Sequence, residues 1–313
     1  MRVVITGGSG FIGTSCVTEA LKRDWEVLNI DKAAPRNPVQ LPFWKQCDIL
    51  DSERLARILS DFEPDYILHL AAKTGMDEKG EAAFLANSQG VTNLLDAVRN
   101  NKQVKRIIVT SSLLVCENGY IPTSTDDYCP PNLYGASKVE TEITTKKYAA
   151  SEVPWIIVRP TAVWGPWVEE GYLKFFQIVK KGLYFHPGRK EVVKPITYVG
   201  NAVYMLFTLL ESAEETAVGR TFYLADWPEC TVRQWAEIVG KESGARKIPT
   251  FPLPLVKVVA VIGDIFKLIT KREPPLTSFL LNNMLTGAHY PWEPTKEVVG
   301  DLPYSLTDGV RAT

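Results

Sequence analysis

This chain lacks the marks of a disulfide framework, a zinc site, a membrane span or a nucleic-acid binder. Its five cysteines, Cys16, Cys47, Cys116, Cys129 and Cys230, are widely spaced, odd in number and form no Cys-x-x-Cys pair. Reduced thiols are expected, and with them a cytoplasmic protein without a metal. Excess charge of either sign is also missing: 35 basic and 36 acidic residues leave a net charge of −1. A duplex binder needs a basic face, so nucleic acid is not the expected partner. No apolar run is long enough to span a bilayer. The first residues pass straight into a strand pattern, with no room for a secretory leader. Internal repeats and low-complexity segments are absent, and 313 residues suggest about two domains.

What is present begins with an alternation of strands and helices. Met1 to Ile5 reads as a buried strand, running into Thr6-Gly7-Gly8-Ser9-Gly10-Phe11-Ile12-Gly13 and then a helix over 14–22. Glycines at 7, 10 and 13 permit a tight turn, close approach of a pyrophosphate and close helix–strand packing, with the helix N-terminus facing the phosphates. A second strand, 26–30, ends in Asp31, whose carboxylate can bond both ribose hydroxyls and repel a 2′-phosphate. That favours NAD over NADP, with Lys32 and Arg36 softening the repulsion. Cys47-Asp48-Ile49 closes a third strand. Asp48 either reaches the adenine amino group, caps the helix starting near Ser52, or both.

A fourth strand, 65–70, leads through His69 into Leu70, Ala71, Ala72, Lys73 and Thr74. The small residues let a dinucleotide lie against the strand end, and His69 reads as packed inside the apolar run. Residues 75–80 read as a flexible loop over the cofactor. The helix expected over 81–100 carries Asn87 at its middle, followed by Gly90 and Asn93. A mid-helix Asn is mildly unfavourable and wants a reason, either a contact near the active site or a helix irregularity.

A fifth strand, 105–110, delivers Ser112 to the strand end, where ligands bind in an open parallel sheet. One turn-rich loop later come Tyr134 and Lys138, four apart and so on one helical face. A tyrosine hydroxyl has a pKa of about 10, and acting as a base near neutrality needs about 3–4 kcal/mol of help. A lysine ammonium one turn away favours the phenolate. The plainer alternative is a surface Tyr and Lys on an amphipathic helix. The sixth strand, 155–159, leads to Pro160 and Thr161. Pro160 cannot donate, so backbone groups after it would be free for a ligand. After Pro166 strict alternation ends. A helix over 172–181, an irregular stretch over 183–194, a short strand over 196–199 and a helix over 201–211 follow. Strand 221–225 is expected to rejoin the main sheet. The apolar stretch 256–269, interrupted by Lys257, Asp264 and Lys267, reads as a packed helix rather than a membrane contact.

Thr6 to Gly13, Asp31, Leu70 to Ala72, Ser112, Tyr134-Gly135-Ala136-Ser137-Lys138 and Arg159-Pro160-Thr161 together resemble the extended short-chain dehydrogenase/reductases of the NAD-dependent epimerase/dehydratase family. Pro303 to Val310 resembles that family's approach to its C-terminal helix. The resemblance implies an α/β fold: a Rossmann-type doubly wound parallel sheet with a smaller, mostly helical C-terminal substrate domain. The NAD-binding domain would span 1–165, with 190–226 returning to it. Residues 166–189 and 227–313 would bind substrate. Tyr134 would take a hydroxyl proton, Ser112 would bond the same oxygen, and Lys138 would lower the tyrosine pKa and hold the nicotinamide ribose. Asn87 would line the cofactor site. The implied assembly is a homodimer through the helices at 81–100 and 134–150.

The residues after Ser112 narrow the chemistry. Family dehydratases resemble Thr-Asp-Glu where this chain has Ser112-Leu113-Leu114, and decarboxylases and 3,5-epimerase-reductases carry Glu or Cys at the position of Leu114. Leucines move no protons. Oxidation, reduction, or the two in sequence as a C4 epimerisation remain. The Asn that the family often carries in Arg-Pro-x-Asn is Ala162 here, and the family arginine that holds a diphosphate is Lys194, with Arg189 nearby as a substitute. Both cations read equally as solvated side chains. A nucleotide sugar is the favoured substrate, a sterol-like or lipid-linked alcohol the alternative, and a non-catalytic dinucleotide binder the third reading.

Overall fold

The computed structural model describes residues 1–75, 80–99, 101–149, 153–168, 172–272 and 274–313. Most of the loop expected over the cofactor, 76–79, lies outside the described residues, as do positions 100 and 150 at the ends of two expected helices.

The first half alternates as expected: β1 (Arg2–Thr6), α1 (Phe11–Lys22), β2 (Glu26–Asp31), β3 (Trp44–Gln46), α2 (Ser52–Phe62), β4 (Tyr66–His69), α3 (Leu85–Val98), β5 (Arg106–Thr110), α4 (Leu133–Ala149) and β6 (Trp155–Pro160). The second half adds β7 (Ala162–Trp164), α5 (Tyr172–Lys180), β8 (His186–Pro187), β9 (Val193–Lys194), β10 (Ile196–Tyr198), α6 (Val199–Glu211), α7 (Glu214–Ala217) and β11 (Thr221–Leu224). It closes with β12 (Cys230–Thr231), α8 (Val232–Glu242), β13 (Thr250–Phe251), α9 (Leu253–Thr270), α10 (Ser278–Leu285), α11 (Glu293–Val299) and α12 (Leu306–Ala312).

Seven strands form one parallel sheet in the order β11-β6-β5-β4-β1-β2-β3. Strand order reverses between β1 and β4, so their C-terminal ends open a crevice at a switch point. The apolar strands bury both faces, as a helix-covered parallel sheet requires. Val3, Ile5, Leu68 and Ile108 face one core with α1 and α6, while Val4, Ile67, Ile107 and Val109 face the other with α2 and α3. β11 pairs with β6, Phe222 opposite Val158, so the late strand does rejoin the sheet.

Several expectations shift. Helix α1 begins at Phe11, three residues early, with Gly10 as its N-cap. The third strand ends at Gln46, leaving Cys47 to Ile49 beyond it. Asp51, not Asp48, caps α2 by accepting from the Arg54 N–H at 3.1 Å. The helix expected from 81 opens with a 3₁₀ turn over Glu81–Phe84. Ser305 and Asp308 form a capping box that starts α12, as the C-terminal motif suggested.

The largest correction concerns α9. Only Val256, Ala260 and Gly263 of this helix are buried. The expected packed helix touches the protein along one narrow stripe and leaves most of its apolar surface in solvent.

Candidate functional site

The crevice is built from close backbone approaches. Gly7 has a φ of 73°, and a Cβ there would lie 2.6 Å from the Ala71 nitrogen. A Cβ on Gly13 would lie 2.1 Å from the Gly7 carbonyl oxygen. These glycines seat the turn against the ends of β1 and β4 as no larger residue would. Gly10 caps α1 without a side-chain hydrogen bond, so no capping side chain takes the first-turn N–H groups. Asp31 is locked beside this turn: its Oδ2 accepts from the Ser9 N–H at 3.1 Å and its Oδ1 from the Ala33 N–H at 2.9 Å. A glycine cradle, an open helix N-terminus and an adjacent carboxylate fit a pyrophosphate and an adenosine ribose.

Lys32 is exposed, and Arg36 donates to the Trp167 carbonyl at 2.6 Å. Asp48 is exposed and accepts from the Leu50 N–H at 3.0 Å. Ile49 is buried against Gly90, where a Cβ would approach within 2.5 Å, and its carbonyl accepts from Asn93 at 2.9 Å. The polar and glycine positions of α3 thus hold the 48–49 segment in place.

Asn87 has its reason. Its Oδ1 accepts from the Lys73 N–H at 2.8 Å, and its Nδ2 donates to the Lys73 carbonyl and the Ser137 Oγ, both at 2.9 Å. Ser137 in turn donates to the Tyr134 carbonyl at 2.7 Å. Asn87 therefore clamps the segment after β4, Leu70 to Lys73, to the first turns of α4. His69 is packed, as expected: its Nδ1 lies 2.7 Å from the Thr6 Oγ1, and burial, then the Lys138 charge, push its pKa down to about 3.

Ser112, Tyr134 and Lys138 converge at the end of β5. The Ser112 Oγ accepts from the Leu114 N–H at 3.1 Å and starts a 3₁₀ turn over Leu113–Val115. Gly135 lets α4 press on that turn, since a Cβ there would lie 2.3 Å from the Leu114 carbonyl oxygen. The Asn132 side chain accepts from the Gly135 N–H at 2.8 Å and steadies the first turn of α4. Tyr134 stands beside Phe84, ring centroids 6.2 Å apart. Burial pushes the Tyr134 pKa up, and a hydrogen bond with Ser112 works against that rise.

The Lys138 side chain meets the end of β5. Its ammonium donates to the Thr110 carbonyl at 2.9 Å. Burial brings its pKa down to about 8, with the Glu142 carboxylate opposing. The long stem thus reaches the strand end from the helical face that also carries Tyr134. Desolvation, not the ammonium, dominates Tyr134 here.

Beneath the three lies a buried polar layer that the sequence reading missed. Glu142 accepts from Ser111 at 2.6 Å, from Tyr128 at 3.0 Å and from Arg159 through two bonds of 2.8 Å. Arg159 also donates to the Tyr223 hydroxyl at 2.8 Å and the Thr125 carbonyl at 2.6 Å. Both charged side chains are fully buried. A signal was available: Glu142 continues the four-residue spacing of Tyr134 and Lys138 along one face.

The freedom expected after Pro160 is absent. The Thr161 N–H donates to the Leu224 carbonyl at 3.0 Å, and the Ala162 N–H to the Pro195 carbonyl at 3.2 Å. β11 and the segment before β10 supply the acceptors that the sequence could not reveal. The Thr161 hydroxyl is likewise held, donating to the Leu224 carbonyl at 2.9 Å. Lys194 is half-buried on β9, its pKa lowered by burial, next to that Pro195 contact. Arg189 is exposed between β8 and β9. Among the described residues, no group of three His, Cys, Asp or Glu side chains is placed to hold a metal ion. All five thiols are free.

A model of the NAD dependent epimerase/dehydratase family matches residues 3–225. N-acetyl-alpha-D-glucosaminyl-diphospho-ditrans,octacis-undecaprenol 4-epimerase from Escherichia coli O157:H7 is 27% identical, covering 100% of this chain and 94% of that protein. UDP-glucose 4-epimerase from Vibrio cholerae is 28% identical, covering 99% of this chain and 94% of its own. In fold, the chain is similar to UDP-glucose 4-epimerase from Thermotoga maritima, with a TM-score of 0.76 at 22% identity, covering 100% of this chain and 97% of that one.

Proposed function

This chain belongs to the NAD dependent epimerase/dehydratase family, and we propose that it is a nucleotide-sugar 4-epimerase with Tyr134 as its general base. It is an NAD-dependent enzyme of the extended short-chain dehydrogenase/reductase type. The observation that carries the finer reading is the grouping of Ser112, Tyr134 and Lys138 with only Leu113 and Leu114 following the serine. That centre can move one proton and has no second acid or base for elimination.

When bound, NAD supplies the hydride acceptor and, on the return, the hydride donor. Tyr134 receives the proton of the substrate hydroxyl and gives it back to the same oxygen. Ser112 bonds that oxygen and fixes its distance from the phenol. Lys138, near its titration point and charged at neutral pH, places positive potential beside the phenolate that forms. The cofactor would lie along Gly7, Gly10, Phe11, Ile12 and Gly13, with Asp31 and Lys32 at the adenosine ribose and Asp48 and Ile49 beside the adenine. Leu70, Ala71, Ala72, Lys73 and Asn87 would flank it, with Pro160 and Thr161 at its far end. Lys194 would neutralise the substrate diphosphate, with Arg189 as its substitute.

The proposal divides the chain as 1–165 plus 190–226 for cofactor, and 166–189 plus 227–313 for substrate. The assembly is a homodimer through α3 and α4, where Leu85 and Ile143 are exposed apolar residues. The compartment is the cytoplasm, which suits five free thiols.

The test begins with mass analysis of the purified, denatured protein, followed by UDP-sugars in an NADH-absorbance assay. Retained NAD, with sugar inversion and no net absorbance change, is the expected result. Turnover only with added NAD, and steady accumulation of NADH, would replace the epimerase with a dehydrogenase acting on a sterol-like or lipid-linked alcohol.

A further inference from the structure

Helix α9 is turned inside out. In a surface helix of a soluble protein the apolar stripe faces the core and the charges face water. Here the buried stripe is Val256, Ala260 and Gly263, the smallest residues of the helix among them. Gly263 lets the Leu276 backbone approach so closely that a Cβ would collide with its carbonyl oxygen. The opposite face carries Leu255, Val258, Ile262, Ile265, Phe266 and Ile269 at three- and four-residue spacing. All six are exposed, Ile262 at 59% and Ile269 at 74%. On α10, packed beside it, Phe279 is 75% exposed and extends the patch.

The charges are not on that face. By helical geometry Lys257 and Asp264 fall on one flank of the buried stripe, and Lys267 continues the stripe itself, four residues after Gly263. Asp264 is occupied, accepting from the Ser278 N–H at 3.1 Å at the start of α10. Lys271 and Arg272 follow at the C-terminal end of the helix, and both are exposed. The face is therefore apolar, and exposed cations stand at its C-terminal end. A contiguous exposed apolar patch marks an interaction site.

We propose that α9, with the start of α10, docks this protein on an anionic bilayer surface. The apolar face would enter the headgroup–acyl boundary, and Lys257, Lys271 and Arg272 would meet lipid phosphates. No helix among the described residues is long and apolar enough to cross a membrane, so the helix lies on the surface. Charge complementarity selects the lipid over a second copy of this chain, because an anionic headgroup layer offers Lys271 and Arg272 counter-charges that the apolar face of a second copy does not.

The test uses the full chain and vesicles of phosphatidylcholine, with or without phosphatidylglycerol, in a flotation assay. The expected result is co-flotation with the phosphatidylglycerol vesicles, weakened by salt. Ile262→Asp places a charge in an exposed position, so folding should survive; circular dichroism and NAD retention check this. That variant should bind at least roughly tenfold more weakly. Lys271→Glu with Arg272→Glu should abolish the preference for phosphatidylglycerol. Failure of the wild type to float with either vesicle would overturn the proposal. Equal flotation of Ile262→Asp would do the same. So would a concentration-dependent dimer, seen by sedimentation, that Ile262→Asp dissociates in the absence of lipid. Epimerase turnover on soluble UDP-sugars is read in parallel. Its presence or absence bears on the catalytic reading alone.

Discussion

Tyr134 is a phenol whose environment resists ionisation, since burial raises its pKa and only the Ser112 hydrogen bond opposes. In the proposed reaction the Ser112 hydrogen bond and the Lys138 ammonium, one helical turn away, are the groups that favour its phenolate. Tyr134→Phe should lower turnover by about 10²- to 10⁴-fold while NAD titration stays unchanged. Wild-type turnover in that variant would remove Tyr134 from the chemistry. Asp226 is the residue to test for pH dependence. Burial raises its pKa to about 7, against hydrogen bonds from the Tyr198 N–H at 3.0 Å and Asn201 at 3.1 Å. The folded protein holds a proton that the unfolded chain releases above about pH 4. This contribution to stability is full below that pH and is lost as the pH rises through about 7. Relative to Asp226→Asn, the wild type should therefore lose stability across that window. Urea midpoints of the pair at both ends measure it, and a constant difference would mean the carboxyl is ionised in the fold.

At the scale of elements, the centre depends on how closely α4 meets the turn after β5. Two effects oppose each other at Gly135. Alanine would favour the helix by up to about 1 kcal/mol. Its Cβ would lie 2.3 Å from the Leu114 carbonyl oxygen, an overpacking worth about 1–3 kcal/mol. The clash should win. Gly135→Ala is expected to lower the urea midpoint and also turnover, because relief separates Tyr134 from Ser112. A more stable, fully active variant would show that the approach is not needed. Local signals made the elements legible: the glycine turn, Asp31 and the Tyr134–Lys138 spacing each work within one strand–helix unit. Asn87 was legible only as an anomaly. Its partners Lys73 and Ser137 lie 14 and 50 residues away in sequence.

For the whole molecule, the Glu142–Arg159 pair joins α4, β6, β11 and the loop before α4 through one buried network. Glu142→Gln leaves the Arg159 charge buried without its counter-ion. The expected cost is about 3–5 kcal/mol, read by urea unfolding. A loss near that of an exposed pair, below about 1 kcal/mol, would mean the network is solvated. The same variant should disturb turnover less than Tyr134→Phe does, since Glu142 is saturated by donors and lies beneath the three site residues.

Local sequence determined the strand–helix alternation, the dinucleotide turn and the Tyr134–Lys138 spacing, because each rests on short-range periodicity or backbone freedom. Tertiary structure alone decided the rest. It joined β11 to β6 and so occupied the N–H of Thr161, and it turned Lys138 toward Thr110. It also chose the face α9 presents. Periodicity shows that a helix has an apolar face, but only packing decides whether that face meets the core or the solvent. Here Gly263 and Ala260 admit the backbone of the Leu276 segment, and the larger apolar side chains are left outside.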